Sequence, residues 1–159
     1  MLCRIFFLLF CACTKIDISS DDSAIRITTT LITPEHQEEY SVIKNELERA
    51  FFTTHPIQKE CNVAIEIEKT EQYSGLTSTT FSVNMTVDFV VKYHLQCNDK
   101  TKTNGIVKLN GDLTLVQDKT LGQYVGERHI VNEISKRSAS IIYNEIKIFL
   151  ILHNKKLDK

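Results

Sequence analysis

One segment of the 159-residue chain constrains the fold more than any other, because apolar and polar side chains alternate along it. Between residues 80 and 96 the odd positions are apolar and nearly all the even positions are polar. Successive side chains of a strand point to opposite faces, so this period predicts one long strand with a single buried face. The apolar members are Phe81, Val83, Met85, Val87, Phe89, Val91, Tyr93 and Leu95.

Three shorter stretches predict further strands. Residues 24–32 and 62–71 alternate in the same way, and so does the stretch that begins at Val107. Residues 73–79 are polar and include a glycine, which is typical of a hairpin tip between the second and third strands. Residues 98–105 contain an Asn-Gly pair and are predicted to connect the third and fourth strands.

Two segments have the period of an amphipathic helix. Thr33 can cap free amide groups, and Pro34 suits the first helical position, so a helix is predicted to begin there and to run to about Phe51. A longer amphipathic helix is predicted from about Tyr124, before a basic polar tail. The expected fold is an α+β two-layer sandwich of order β-α-β-β-β-α. Its four-stranded sheet is mainly antiparallel, and both helices cover one face.

The N-terminus has the layout of a short secretory signal. Arg4 precedes an unbroken apolar run from Ile5 to Ala12, and a cysteine follows. Eight apolar residues span about 12 Å as a helix, whereas a bilayer-spanning helix needs about 20 residues. We therefore expect a signal peptide at residues 1–12, a lipidated cysteine with its polar tether at 13–23, a single domain at 24–153 and the polar tail at 154–159.

The end of the apolar run resembles the bacterial lipobox, in which a small residue precedes a cysteine that is acylated and becomes N-terminal after cleavage. Ala12 and Cys13 fit this pattern, whereas Phe10 stands where leucine is usual and Cys11 where a small residue is common. A thiol is the nucleophile that forms a thioether to diacylglycerol. Lipid attachment is therefore expected at Cys13, and a plain cleaved signal or a retained apolar stub is the alternative. No aspartate, the familiar cue for retention in the inner membrane, follows at the second position. The resemblance therefore implies the outer membrane as the destination.

The composition gives little support to several classes of function. The chain has 19 basic and 20 acidic residues and a net charge of -1, so nothing points to nucleic acid as a partner. Its five histidines are scattered without metal-ligand spacing, and no nucleophile-elbow, P-loop or dinucleotide-binding motif occurs. No catalytic residue, metal or cofactor is predicted, and the chain is not expected to be an enzyme. A lipid-anchored hydrolase is an alternative without site residues.

Cys61 and Cys97 are the two cysteines beyond the N-terminal 13 residues. Folding the predicted hairpin about residue 77 brings position 61 opposite the low nineties, at the same open end as Cys97. A disulfide is geometrically feasible there in an oxidising periplasm, and two separate thiols are the alternative.

The element order, the length, the lipobox and the long second and third strands together resemble the LptE family. These lipoproteins sit inside the LptD barrel and help to place lipopolysaccharide in the outer leaflet. The resemblance covers essentially the whole mature chain and rests on architecture. It implies an LptD-like β-barrel partner, lipopolysaccharide as ligand and no turnover. It also implies a lipid-anchored location on the periplasmic side of the outer membrane.

In LptE-like proteins, basic residues near the hairpin tip and the start of the last helix are implicated in contact with the anionic headgroup. The tip here contains neither Arg nor Lys. The resemblance therefore assigns the lipopolysaccharide or partner contact to Lys69, Tyr73, Lys92 and Arg128, with solvated surface charge as the alternative for the three cations. The second functional hypothesis is a lipoprotein component of an ABC-type lipid or solvent transporter, which can share this lipobox, size and layering.

Overall fold

The computed structural model describes residues 25–52, 59–74, 82–116 and 120–157. The predicted signal peptide, Cys13 and the tether lie outside the described residues. The strands are β1 (Ile25–Leu31), β2 (Lys59–Ser74), β3 (Ser82–Cys97) and β4 (Lys102–Val116), and the helices are α1 (Gln37–Ala50) and α2 (Thr120–Leu157), with a 3-10 turn at Pro34–His36 before α1. The predicted order β-α-β-β-β-α is confirmed.

The four strands form one mixed sheet in the order β1-β2-β3-β4. β1 and β2 are parallel, because α1 connects them and returns the chain to the same end of the sheet. The pairs β2-β3 and β3-β4 are antiparallel. Cys61 faces Cys97 across β2 and β3, so the hairpin is centred on position 79. The predicted centre at residue 77 is corrected by two positions.

The core lies on one face of this sheet, as the alternation predicts. The fully or almost fully buried apolar side chains of the two central strands are Cys61, Val63, Ile65, Ile67, Met85, Val87, Phe89, Val91, Tyr93, Leu95 and Cys97. All of them are odd-numbered. Removing this apolar surface from water is the main stabilising term of the fold, at roughly 25 cal/mol per Å².

Both helices cover this face and run parallel to each other. Near their starts, Arg128 Nη2 of α2 lies 3.0 Å from Glu38 Oε1 of α1. Near the end of α1, the ring centroids of Phe51 and Tyr143 are 4.7 Å apart. Helix α1 ends at Ala50, whereas α2 continues well beyond this contact. Helix α2 ends at Leu157, so part of the segment predicted to be a polar tail is helical.

Two local predictions are corrected by tertiary packing. The Thr33 hydroxyl does not cap a helix; it accepts a hydrogen bond from the Ile67 backbone N–H at 3.0 Å, where β1 ends beside β2. The Asn-Gly pair lies inside β4, with Gly105 opposite Tyr93. The β3-β4 turn is instead tighter and includes Lys100, whose φ of 67° lies in the left-handed region.

Candidate partner-binding site

The second face of the sheet, which we call the open sheet face, carries the even-numbered side chains of the four strands. Every even-numbered strand residue whose burial is described is exposed or partly exposed. On β3 the exposed members include Asn84, Asp88, His94 and Gln96. The helices pack against the other face, so this surface is available to a partner.

Cross-strand hydrogen bonds order the polar side chains of the open sheet face. Thr86 donates to Asp112 at 2.8 Å, and Thr114 donates to Asn84 at 2.9 Å. Both pairs are directly opposite in the β3-β4 register. Similar contacts link β1 to β2, where Arg26 pairs with Glu60 and Thr30 donates to Asn62. Such pairs contribute a few tenths of a kcal/mol each and fix side-chain conformations before a partner arrives.

Lys92 lies near the middle of the open sheet face. Its Nζ is 3.3 Å from Glu66 Oε1 and also contacts the Glu68 carboxylate closely. The hydrogen bonds to Glu68 and Glu66 raise the pKa of Lys92 above its usual value. Ile106 faces Lys92 across the β3-β4 pair and is 57% exposed. A highly exposed apolar side chain therefore lies beside an ion cluster on a mostly polar surface.

Lys69 lies on the helix-covered side of the sheet. Its Nζ is 3.0 Å from Glu39 Oε1 of α1 and 3.3 Å from Glu71 Oε1 on its own strand. Burial alone would raise the pKa of Glu39, but a backbone hydrogen bond and the Lys69 ammonium outweigh it and lower that pKa. Burial alone would lower the pKa of Lys69, but the hydrogen bonds to the Glu39 and Glu71 carboxylates and their negative charges outweigh burial and raise that pKa.

Tyr73 and Arg128 belong to the same neighbourhood as Lys69. The Tyr73 hydroxyl donates to Glu71 Oε2 at 3.1 Å, and Arg128 pairs with Glu38, the neighbour of Glu39. Lys69 and Tyr73 are therefore brought together at the Glu71 carboxylate, and Arg128 pairs with α1 one residue before Glu39, whereas Lys92 lies on the opposite face. Each of the cations already pairs with a carboxylate. These carboxylate partners were missing from the sequence-based prediction. The spacing of Lys69 and Glu71, two positions apart on one strand face, is a local signal that could have found that pair. The other pairs depend on strand register or helix packing and leave no local signal.

Cys61 and Cys97 are joined as a disulfide between directly opposite residues of β2 and β3. Both are almost fully buried, at 3% and 4% exposed. The bond fixes the end of the sheet at which the β3-β4 turn lies. A shallow depression on the open sheet face adjoins it and is lined by polar side chains that include Arg26, Asn62 and Gln96.

Within the described ranges, no set of three or more His, Cys, Asp or Glu residues is arranged to hold a metal ion. None of the described helices combines the length and the apolar character that crossing a membrane requires.

The fold is shared with solved bacterial proteins. One is described as rare lipoprotein B from Shewanella oneidensis; it is 10% identical, the match covers 82% of this chain and 98% of that chain, and the TM-score is 0.57. Another is a minor lipoprotein from Acinetobacter baumannii, 10% identical, with 77% and 94% coverage and a TM-score of 0.52. At this identity the likeness shows the fold alone. No protein-family model matches the chain, and no curated protein matches it.

Proposed function

We propose that this chain is an exported lipoprotein, acylated at Cys13, that acts as the plug and partner of a large outer-membrane β-barrel in lipopolysaccharide assembly. The observation that carries this proposal is the open sheet face. One face of the sheet holds the apolar core and its helices, whereas the other presents an ordered polar surface along three strands of 15 to 16 residues. At about 3.3 Å per residue, that surface is roughly 50 Å long.

A domain inside a water-filled barrel needs such a surface. Polar side chains stay hydrated until they meet the barrel wall, and the cross-strand pairs reduce the side-chain entropy that binding costs. Ile106 supplies apolar contact on the edge strand β4, beside Lys92 and its two carboxylates. We assign Ile106 and Lys92 to the barrel interface. We assign no phosphate contact to the cluster around Lys69, because its charges are already paired within the protein.

Two further observations support the lipoprotein part of the proposal. The N-terminal sequence combines a short apolar run with a cysteine after a small residue. Rare lipoprotein B and the minor lipoprotein, two solved proteins that share the fold, are both described as lipoproteins. The role is one of binding and assembly, and it requires no catalytic residue.

The test is affinity purification of the full-length protein from outer membranes in mild detergent, followed by mass spectrometry. The expected result is an acylated Cys13 peptide together with one large β-barrel protein in stoichiometric amount. Cys13→Ser should abolish acylation, whereas Cys11→Ser, two positions away, should leave it intact.

The barrel contact has its own matched variants. Ile106→Asp should reduce recovery of the barrel at least about tenfold, because it replaces an exposed apolar contact of the interface by a charge. Val125→Asp is the control, since Val125 is 59% exposed and lies on α2, away from the open sheet face. Recovery of permease subunits in place of a barrel would favour the transporter alternative. An unmodified N-terminus would overturn the lipoprotein proposal.

A further inference from the structure

Four large apolar side chains are exposed at one end of the domain, and we call them the terminal apolar patch. They are Phe52, Ile148, Ile151 and Leu152, with exposed fractions of 78%, 58%, 38% and 58%. They make up half of the eight exposed large apolar side chains found in the part of the chain that the structure describes. Concentration at one end distinguishes them from scattered surface residues, which need no explanation.

The direction of α2 places this patch at the disulfide end of the sheet. Early in the helix, Gly126 lies against Leu113 near the far end of β4. Later, Glu145 contacts the hydroxyl of Tyr93, four residues before Cys97. Residues after Glu145 therefore continue towards the end where Cys97 lies. Phe52 lies at that end too, because its neighbour Phe51 packs on Tyr143.

The apolar side chains of α2 in this patch share one face of the helix. Ile148, Ile151 and Leu152 follow the three-and-four spacing, and the buried residues Ile146 and Leu150 lie on the opposite face. The patch therefore lies outside the core, although its large apolar side chains are of the kind usually found in a core. An exposed lysine, Lys147, adjoins it, with its Nζ 5.7 Å from the Tyr143 ring centroid. Apolar side chains bordered by a cation are typical of helices that lie at a lipid surface.

The course of the chain identifies the surface that would cover the patch. β1 begins at Ile25, which is paired with Lys59 at the same end of the sheet. Cys13 lies twelve positions before Ile25, so the lipid attachment point lies within about 40 Å of this end. The acyl chains proposed on Cys13 would hold this end of the domain near a membrane leaflet.

We propose that the terminal apolar patch docks on the lipid surface into which Cys13 is anchored, giving the domain a second, non-covalent membrane contact. The inference rests on the proposed acylation of Cys13. An acyl anchor alone leaves the domain free to rotate about its tether. Insertion of the patch into the interface restrains it, with α2 ending at the membrane and β1 beginning there.

The test is flotation of the mature chain, residues 13–159 with Cys13→Ser, with vesicles of phosphatidylethanolamine and phosphatidylglycerol at about 3:1. The unacylated protein should float with the vesicles. Replacing Ile148 and Leu152 together by serine should lower the bound fraction at least about fivefold. The matched control replaces Ile32 and Val125 together by serine; they are 57% and 59% exposed, and their loss should change binding less than twofold.

Each outcome bears on the docking proposal. Circular dichroism melting verifies that both double variants fold. The docking proposal is overturned if the parent protein is absent from the vesicle fraction, or if both double variants lose vesicle binding equally. It is also overturned if the Ile148 and Leu152 variant binds vesicles unchanged while the same substitutions in the full-length chain remove a co-purifying protein. The patch would then be a protein-binding surface. The protein used for flotation is unacylated and is tested without a barrel. Failure of the proposed function would therefore appear separately, in the mass spectrometry of the affinity-purified protein.

Discussion

The hydroxyl of Tyr93 donates a hydrogen bond of 2.6 Å to Glu145 Oε2 and so joins the central strand β3 to α2. Burial of the ring and the Glu145 carboxylate raise the pKa of Tyr93 well above its ordinary value of 10.0. The native state therefore keeps this proton at a pH where the unfolded chain has lost it. The stabilisation is complete below pH 10 and is lost as the pH rises towards the folded-state pKa.

Replacing Tyr93 by phenylalanine tests this contact. Tyr93→Phe should lower the free energy of unfolding by about 1 kcal/mol near neutral pH, because the hydrogen bond to a charged group is lost. Above pH 10 the parent should lose up to about 1.4 kcal/mol per pH unit through Tyr93, and the variant should lack this component. Urea unfolding at several values between pH 8 and 12 measures both effects, and parallel profiles would contradict the assignment.

Gly105 is required opposite Tyr93. A Cβ atom at Gly105 would lie 2.5 Å from the Tyr93 ring and its hydroxyl oxygen, so the ring would have to leave Glu145. Gly105→Ala should therefore cost about 1–3 kcal/mol. Gly111→Ala is the control, because its Cβ would meet the flexible end of Ile134 at 2.7 Å, which can move. Chemical denaturation compares the two, and an equal or larger loss at Gly111 would refute the requirement.

The sequence predicts the buried side of the sheet better than its strand register. Alternation identifies the buried residues of β3 because the strand geometry itself has period two. A hairpin centred on residue 77 would place Cys61 opposite position 93, whereas it faces Cys97. This difference of four positions is even, so every side chain keeps its face while all partners change. Tip length, which periodicity does not specify, decides the pairing.

In the candidate site too, the sequence predicts the face on which a side chain lies but not the residue with which it pairs. The face on which Lys92 lies can be predicted from its even number, but its pairing with Glu66 needs the correct register. The Lys69 contact with Glu39 joins a strand to a helix far away in sequence. Only the packing of α1 on the sheet creates it, and no local pattern marks it. The contacts of both clusters between residues distant in sequence are therefore seen only in the structure.

The disulfide should contribute a large share of stability. It closes a loop between residues 36 positions apart, for which the chain-entropy model gives about 4 kcal/mol. Reduction should lower the free energy of unfolding by about 2–4 kcal/mol, measured by urea unfolding with and without reductant. The variant with both Cys61 and Cys97 replaced by alanine should be destabilised to a similar degree and should not respond to reductant. A reductant response in that variant would show that another group is involved.

Glu39 should stabilise the fold in a pH-dependent way through Lys69. Because its pKa is lowered in the folded protein, its contribution is present above its ordinary pKa of 4.5 and is lost as the pH falls through the lowered value. Glu39→Gln should cost about 1–2 kcal/mol at pH 7 and progressively less as the pH falls below 4.5, measured by urea unfolding. Glu48→Gln, at an exposed pair with Lys44, should cost less than about 0.5 kcal/mol. A pH-independent loss at Glu39 would contradict the ion pair.

Two neighbouring serines of α2 test whether a buried hydroxyl without a partner destabilises the core. Ser135 and Ser138 are both fully buried. The Ser138 hydroxyl donates to the Ile134 carbonyl at 2.9 Å, whereas the Ser135 hydroxyl has no hydrogen-bond partner among the described residues.

Ser135→Ala should raise the free energy of unfolding by about 1 kcal/mol, because it removes an unsatisfied polar atom and improves helix propensity. Ser138→Ala gains the same propensity but loses a hydrogen bond, so its change should be close to zero. Urea unfolding of the two variants isolates the difference, since the chemical change and the helix are identical. If Ser135→Ala destabilises the protein more than Ser138→Ala, the Ser135 hydroxyl must have a partner in solution, such as a buried water.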